Sequence, residues 1–283
     1  MHLLGGFSNI SNSIFVSNIG GFGAAIFMQG VRLTVADCEF KDNDGAEGGV
    51  AHVKEDSQVH IMRSLLPSNT AETGGGMFVD GNATAHISSS MLVSNVAEKQ
   101  GGAAHVAGKA SVHVSDSSLI SNHAAIGAGV FAGVSARLMF VASNASGNNA
   151  SVSGGLGAAA DAQLLIDSSV VVSNAAAVHG GGISVEGNAG VAAFVNSSIQ
   201  FNRAKWGAGM SFGAGQLQRL EAHLKTGYFA HNLGMYNSEV SPAASDLSIL
   251  GSSSVSGFTS RLGSDQSVLP VRLNVSGPFW PAL

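Results

Sequence analysis

The chain has 283 residues, of which 45% are hydrophobic and 11% are charged, and its formal net charge is -5 at pH 7. This apolar content is sufficient for a packed core, so we do not expect a disordered chain. Lys and Arg are sparse and form no cluster interleaved with aromatic residues, which excludes the electrostatic signature of a nucleic-acid-binding protein. A single cysteine, Cys38, excludes a disulfide framework within the chain and a cysteine-based zinc site.

The first residues, MHLLGGFSNISNS, lack the basic flank and long apolar stretch of a secretory signal. The apolar stretch 124–142 could suggest a membrane span, but Arg137 and three glycines within it argue against one. We therefore expect no transmembrane segment in this chain. We also expect the chain to be part of a longer protein, with its export signal elsewhere.

Small-residue signals recur along the chain with a regular spacing. Glycine pairs or Gly-Ala-Gly triplets follow one another in steps of 26, 27, 26, 27, 26 and 27 residues. They begin at Gly48, Gly74, Gly101, Gly127, Gly154, Gly180 and Gly207. An internal repeat of this length is typical of a solenoid, in which each copy forms one turn stacked on the next.

A second repeated signal is an apolar residue three positions before an asparagine. It predicts a column of asparagines whose side-chain amides hydrogen-bond from turn to turn. The members of this predicted structural ladder are Asn43, Asn69, Asn95, Asn122, Asn174 and Asn202. A further pair, Val141 and Asn144, falls out of step, and we interpret it as a short turn followed by a longer loop.

Short runs such as TAHIS (84–88) and SVHVS (111–115) alternate between two faces, which indicates strands rather than helices. Several short strands in each copy, with no helical periodicity, predict an all-β fold. We expect a right-handed parallel β-helix with about eight to nine turns of 26–27 residues over 1–234. Four of the five prolines lie after residue 240, and residues 235–283 are expected to form a C-terminal cap or to begin a further domain.

Glycine is expected at the sharp corners of the coil, where a positive φ or a close backbone approach excludes a Cβ atom. The stretch GGLGAAADAQLLID (154–167) also suggests a dinucleotide-binding loop or a glycine-rich calcium-binding repeat. Its spacing favours a corner, because strands follow the equivalent glycines and Ala159 stands where the calcium repeat needs aspartate. Cys38 lies where most copies have serine, so we expect a buried, unreactive thiol.

The segments SSMLVSNVAEKQGGAAHV (89–106), SSLISNHAAIGAGV (117–130) and SSVVVSNAAAVHGGGISV (168–185) carry both signals together. They resemble the FxxN and GGA(I/V/L) repeats of the chlamydial-type polymorphic outer membrane proteins. The resemblance extends from about Phe7 to Gly234, although other apolar residues replace phenylalanine in most copies. It implies a right-handed β-helix passenger that is secreted or exposed on the outer membrane or cell envelope and that acts in adhesion.

Parallel β-helices also include polysaccharide lyases and hydrolases, so the carboxylates were considered as catalytic groups. They are scattered over different columns of the predicted coil: Asp37, Asp80, Asp116, Asp161, Asp167 and Glu186. Asp37 and Asp116 share a column but lie three turns, or about 14 Å, apart, which is too far for a glycosidase pair. We therefore predict no catalytic residue and no cofactor.

The most regular polar pattern is formed by histidines. His60, His86 and His113 each lie nine residues before a ladder asparagine, so they should stack on consecutive turns and face solvent. His223 takes the same place in the last copy, while His52 and His105 form a sparser column interrupted by Phe78.

Three stacked imidazoles could bind a divalent metal ion or acquire charge on acidification. The alternative is a surface column produced by repeat duplication, which the ring spacing favours. We therefore predict no metal site and keep His60, His86 and His113 as the only candidate ligands.

The sequence thus predicts a noncatalytic, extracellular or cell-surface β-helix that serves as a scaffold or adhesin for protein or glycan partners. The alternative is a carbohydrate-active β-helix enzyme of the lyase or hydrolase type.

Overall fold

The computed structural model confirms the all-β prediction: the chain forms a parallel β-solenoid of about eight turns. The residues that the structure describes are 1–187, 189–212, 224–225, 227–230 and 232–234, together with short strands between 247 and 275. No helix occurs among these residues. His223 lies outside them, as does most of the predicted 235–283 segment.

Each turn contributes strands to three parallel sheets of 17, 11 and 9 strands, here called sheets A, B and C. The first strands are β1 His2–Ser11, β2 Ile14–Val16, β3 Ile19–Phe22, β4 Ile26–Ala36, β5 Glu39–Lys41, β6 Asp44–Glu47, β7 Ala51–Lys54, β8 Gln58–Met62, β9 Leu65–Pro67 and β10 Thr70–Thr73. The next are β11 Met77–Val79, β12 Thr84–Ser88, β13 Met91–Val93, β14 Val96–Gln100, β15 Ala104–Val106, β16 Ser111–Ser115, β17 Ser118–Ile120, β18 His123–Ile126, β19 Val130–Ala132 and β20 Arg137–Val141. They are followed by β21 Asn144–Ser146, β22 Asn149–Val152, β23 Leu156–Ala158, β24 Gln163–Asp167, β25 Val170–Val172, β26 Ala175–His179, β27 Ile183–Val185, β28 Gly190–Val195, β29 Ser198–Gln200 and β30 Arg203–Ala204. The last are β31 Met210–Phe212, β32 Leu224–Lys225, β33 Gly227–Ala230, β34 Leu233–Gly234, β35 Leu247–Ile249, β36 Ser253–Val255, β37 Thr259–Leu262, β38 Leu269–Pro270 and β39 Leu273–Val275.

A typical turn runs from a short strand and a longer strand of sheet A, through a three-residue strand of sheet B, to a strand of sheet C. In the turn that begins at β7, these are β7 and β8, then β9, then β10. Parallel pairing continues beyond residue 234, because β35 pairs with β31 and β37 pairs with β33. The antiparallel pairs β36–β39 and β37–β38 break this pattern.

The core consists of columns of apolar side chains that point inward from equivalent positions on successive turns. Val59 and Ile61 of β8 are buried, whereas His60 between them is exposed, as the period of two predicts. The inward column of sheet B is completely buried: Phe40, Leu66, Leu92, Leu119, Ala145, Val171 and Ile199. Strand alternation therefore fixes which side chains can reach a ligand.

Buried asparagine side chains connect all the described turns in a second column, here called the asparagine ladder. In each step, the backbone N–H and the side-chain NH2 of one asparagine both donate to Oδ1 of the next; for Asn69 and Asn95 these distances are 3.0 and 2.9 Å. The NH2 group also donates to a backbone carbonyl, from Asn95 Nδ2 to Leu66 O at 2.9 Å. The ladder comprises the six predicted asparagines together with Asn18, Asn148 and Asn232.

The prediction that Asn144 marks a shortened turn is wrong. Asn148 is the ladder residue, 26 positions after Asn122 and 26 before Asn174, so the turn has ordinary length. Asn144 instead begins strand β21 and pairs with Ser118 and Val170. The sequence signal failed because Ala145 takes the inward position that a larger apolar residue fills on other turns.

A third column consists of buried serine residues and includes Cys38. The backbone N–H of one turn donates to the serine Oγ of the next, as from Cys38 to Ser64 at 3.1 Å. That hydroxyl donates in turn to the carbonyl two residues earlier, from Ser64 Oγ to Met62 O at 2.8 Å. Cys38 is buried, and its Sγ atom makes the corresponding contact with Ala36 O at 3.2 Å.

Three kinds of corner close each turn, and the expectation that glycine makes the corners holds for only one of them. At the corner between sheets A and B, the residue before each buried serine has a positive φ, as Arg63 does at 46°. At the corner between sheets B and C, the residue before each ladder asparagine from Asn18 to Asn202 does the same, as Ser68 does at 57°. Apart from Gly147, the residues at these two corners are not glycine, and they occupy the left-handed region directly beside side chains that bond back to the backbone.

Glycine makes the corner between sheets C and A, but the predicted position at Gly154 is one residue late. Ser153, with φ of 59°, is equivalent to Gly127 and Gly180, because Gly157 pairs with Phe131 and Ser184, each four residues further on. Gly154 is instead the second residue of the corner, where an added Cβ would collide with the carbonyl of Gly181. The stretch is thus a corner followed by a strand, as predicted, with its register corrected by one.

The corrected ladder predicts different consequences for two neighbouring asparagines. Asn148→Ala should lower the free energy of unfolding by about 2 to 4 kcal/mol, because it leaves buried partners on both adjacent turns without a hydrogen bond. Asn144→Ala, whose side chain lies outside the ladder, should lower it by less than about 1 kcal/mol. Urea unfolding of both variants checks this, and equal losses would contradict the assignment of Asn148.

Candidate functional site

Three consecutive turns place His60, His86 and His113 directly above one another on the outer surface of sheet A. Their Cα atoms are register partners in the parallel pairing of β8, β12 and β16. The rings of His60 and His86 stack with centroids 4.5 Å apart, and those of His86 and His113 meet edge to face at 5.6 Å. His60 is exposed and the other two are half-buried. We call these three residues the histidine column.

The middle member of the histidine column, His86, has a lowered pKa. Partial burial of His86 lowers its pKa, and the neighbouring His60 and His113 lower it further because adjacent imidazolium ions repel each other. His86 therefore stays neutral to a more acidic pH than an isolated imidazole. An anion lying over the column would oppose this effect.

The arrangement of the histidine column does not suit a tetrahedral metal ion. The rings of His60 and His86 lie only 18° from parallel, so their nitrogens point side by side rather than towards one centre. Among the described residues, no three His, Cys, Asp or Glu side chains are grouped in a way that could hold a metal ion. The three candidate ligands are therefore brought together, but as a stack.

A second column, on the short strands of sheet A, alternates phenylalanine with histidine and is here called the aromatic ladder. Its members are Phe27, His52, Phe78, His105 and Phe131. Adjacent rings meet edge to face, with centroids 4.9 to 5.6 Å apart. Phe78 does not interrupt a histidine column, as the sequence suggests, but is one step of a continuous aromatic column. The 25- to 27-residue spacing of these five aromatic rings was the signal that could have revealed it.

The aromatic ladder points away from the core, and it is nevertheless buried from His52 to Phe131. The glycine corner folds the chain tightly against it, since a Cβ at Gly127 would collide with the side chain of Phe131. His52 is 2% exposed and His105 is 8% exposed. Burial on the outer face therefore comes from the shape of this corner.

Two carboxylates approach the buried imidazole of His52. Its Nδ1 lies 3.5 Å from Glu47 Oε2, and its Nε2 lies 3.4 Å from Asp80 Oδ1. His105 has a buried Nδ1 without a hydrogen-bond partner. Burial lowers the pKa of His105 to about 4, and the opposing effect of Asp80 is smaller. The aromatic ladder thus holds His105 as a neutral, buried imidazole at neutral pH.

The other predicted carboxylates remain dispersed, and several are bound by neighbouring side chains. Asp37 accepts two hydrogen bonds from Arg63 at 2.8 and 2.7 Å, which hold the pKa of Asp37 below its usual value. Asp161 accepts from Ser135, which also lowers its pKa. The lowered pKa of Asp37 and Asp161 is the opposite of the raised pKa that a general acid needs for glycoside cleavage.

One Ser/His/Glu cluster was not anticipated from the sequence. Ser184 Oγ lies 3.4 Å from His179 Nδ1 and donates to Glu186 Oε1 at 3.0 Å. Its proton is therefore directed at the carboxylate rather than at the imidazole, which a nucleophilic serine would need as its base. Ser184 is also only 1% exposed, so the cluster is best described as a structural hydrogen-bond network.

The apolar stretch 124–142 forms strands β18, β19 and β20 of the solenoid. Within the part of the chain described here, no helix is long and apolar enough to span a membrane. No protein-family model, curated protein or solved structure gives a significant match to this chain.

The buried His105 predicts a loss of stability in acid. Because its pKa is about 4 in the folded state and about 6.5 when unfolded, the unfolded chain binds more protons between these values. Stability should therefore fall as the pH drops from about 6.5 towards 4, by at most about 3 kcal/mol from this residue. His105→Phe, which copies Phe78 and Phe131, should remove that part of the loss in urea unfolding measured across this pH range.

The exposed His123 on β18 supplies the control, and His123→Phe should keep the acid sensitivity of the original chain. A pH profile of H105F that superimposes on the original profile would contradict the role given to His105.

Proposed function

We propose that the chain is a noncatalytic β-solenoid scaffold or adhesin, acting outside the cell or at its surface, whose flat side faces bind protein or glycan partners. The proposal rests mainly on the contrast between the two sides of the wall. Inside, hydrogen bonds between turns satisfy the buried asparagine and serine groups. Outside, sheet A presents columns made mainly of polar side chains, of which the histidine column is the clearest.

The repeat resemblance to chlamydial-type polymorphic outer membrane proteins supports the same proposal. The observed ladder asparagines and glycine corners are the residues that carry that resemblance. A solenoid of this kind offers a long, open side surface, which suits attachment more than turnover. An outer-membrane or cell-envelope location follows if the family resemblance holds.

A carbohydrate-active enzyme is the second candidate, and one groove favours it. An open depression of about 660 Å3 along the corner between sheets A and B is lined in part by Asp37, Glu39 and Arg63. Two carboxylates beside a groove are the minimum for glycoside hydrolysis. The ion pair with Arg63 keeps Asp37 ionised, however, and so removes it as a proton donor.

The two functions are separated by testing binding and turnover on the same polysaccharides. We expect saturable binding of the chain to immobilised glycans or surface proteins, with no release of reducing or unsaturated sugars from acidic or neutral polysaccharides. Asp37→Asn and Glu39→Gln serve as matched variants, and we expect no product from either variant, as from the original chain. Turnover that disappears in one of them would overturn the scaffold proposal, as would the absence of binding to every surface tested.

A further inference from the structure

The outer face of sheet A combines the histidine column with a second polar column, and we call these two columns the histidine face. The histidine column continues to Thr34 on one side and to Met139 and Leu165 on the other. Two residues earlier on the same strands lies the second column: Arg32, Gln58, Thr84, Ser111, Arg137 and Gln163. All twelve residues belong to β4, β8, β12, β16, β20 and β24, so the face spans six consecutive turns.

The sign of the charge on this face is unusual for an acidic chain. Its two columns contain two arginines and three histidines but no carboxylate, although the whole chain has a net charge of -5. Full protonation of the histidine column would raise the formal charge of the face from +2 to +5, counting Arg32, Arg137, His60, His86 and His113. The face therefore changes from weakly to strongly positive over the pH range in which histidines titrate.

Carboxylates occur only along the two edges of the histidine face, and most of them are engaged elsewhere. The charged groups at the edge before the strands are Lys54, Glu55, Asp56, Asp80, Lys109 and Asp161, and Asp80 lies 3.4 Å from the buried His52. Those at the opposite edge are Asp37, Arg63, Asp116 and Asp167. Glu55 accepts a hydrogen bond from Gln29, Asp56 from Asn82, Asp161 from Ser135 and Asp167 from Ser168, while Asp37 pairs with Arg63. Of these carboxylates only Asp37 is paired with an arginine, and the neutral donors leave the others charged. Asp116, three residues after His113, is therefore one of several negative charges at the edges that an incoming anion would meet.

A shallow groove at one end of the face brings Arg32 and His60 together. The groove has a volume of about 200 Å3, and Arg32, Gln58 and His60 contribute to its lining. The guanidinium of Arg32 is held over the ring of Phe7, 5.4 Å from the ring centroid. One anionic group placed here would contact both an arginine and the first imidazole of the histidine column.

We propose that the histidine face is a binding site for an anionic polysaccharide, carboxylated or sulfated, which it holds in mildly acidic solution and releases near neutral pH. This inference rests on the scaffold function proposed above and names a partner for it. Three imidazoles on adjacent turns repel one another when protonated, and a linear polyanion lying along the column relieves that repulsion. Binding and protonation therefore favour each other, and the affinity rises as the pH falls.

The chemistry of the face favours a glycan over other polyanions. Gln58, Thr84 and Ser111 place uncharged donors and acceptors beside the histidines, where they can bond to sugar hydroxyl groups. Neither column contains Phe, Tyr or Trp on these six strands, and Phe7 on β1, the register partner of Arg32, adds one ring at the end of the face. Single-stranded nucleic acid binding typically uses successive rings on which successive bases stack.

The test compares three polymers with one backbone: neutral dextran, carboxymethyl dextran and dextran sulfate. Binding of the full chain is measured by interferometry at about pH 5 and about pH 7.5 and at constant ionic strength. We expect about tenfold tighter binding of both charged polymers at the lower pH, and no binding of neutral dextran. Asp116→Asn should strengthen binding, because it removes a negative charge three residues from His113.

The variant His60→Gln/His86→Gln/His113→Gln should lose the pH dependence while keeping the thermal unfolding temperature of the original chain, since all three side chains lie on the outer surface. His123→Gln, at an exposed histidine on sheet C, should bind like the original chain.

A triple variant that still binds more tightly in acid would overturn the inference, as would an affinity that does not change with pH. Binding of neutral dextran as tightly as the charged polymers would overturn the assignment of an anionic partner but would support a glycan-binding scaffold. Binding of oligothymidylate as tightly as dextran sulfate would overturn the assignment to a glycan. The proposed scaffold function itself fails only if the chain turns over a polysaccharide or binds no surface at all. Failure of this inference can therefore be distinguished from failure of the proposed function.

Discussion

The solenoid depends on one interaction above all, the hydrogen bond by which each buried asparagine accepts from its predecessor and donates to its successor. An asparagine side chain can do both at once because its amide carries an acceptor and two donors. Asn95, for example, accepts from Asn69, donates to Asn122 and also donates to the backbone carbonyl of Leu66. Since these groups are fully buried, a shift of one residue in any turn would leave several of them unsatisfied. The ladder therefore fixes the register on which every other column depends.

The corners show how the same constraint is distributed around each turn. Buried serines bridge the first corner, ladder asparagines follow the second, and glycine permits the close backbone approach at the third. The third corner has a further consequence, because folding the chain tightly over the outer surface buries the aromatic ladder. The flat part of sheet A has no such cover, which leaves the histidine column open to solvent. The histidine column and the histidines of the aromatic ladder thus differ in environment because they lie at different distances from the glycine corner.

Much of this architecture could be predicted from the sequence, because a solenoid repeats its requirements on each turn. The period, the parallel strands, the inward positions and the stacking of His60, His86 and His113 all follow from spacing and alternation. The errors arose where one turn satisfies a requirement differently. Ala145 replaces a large apolar residue, and Ser153 adopts the left-handed conformation that glycine adopts elsewhere. The burial of His52 and His105 could not be predicted from alternation, which separates inward from outward but does not reveal when an outward side chain is covered.

The proposed binding role depends on the asparagine ladder, because the ladder keeps the strands that carry the histidine face at a fixed spacing. A binding face made of two residues on each of six strands works only if those strands keep their spacing, and the asparagine ladder maintains that spacing. The most direct measurement is hydrogen exchange of asparagine side-chain amides, followed by nuclear magnetic resonance. If the ladder is continuous, the Nδ2 protons of Asn148 exchange as slowly as those of Asn95 and Asn122, while those of the exposed neighbour Asn149 exchange rapidly. Equally rapid exchange at Asn148 and Asn149 would contradict a continuous ladder, and with it the register from which the faces of this protein have been described.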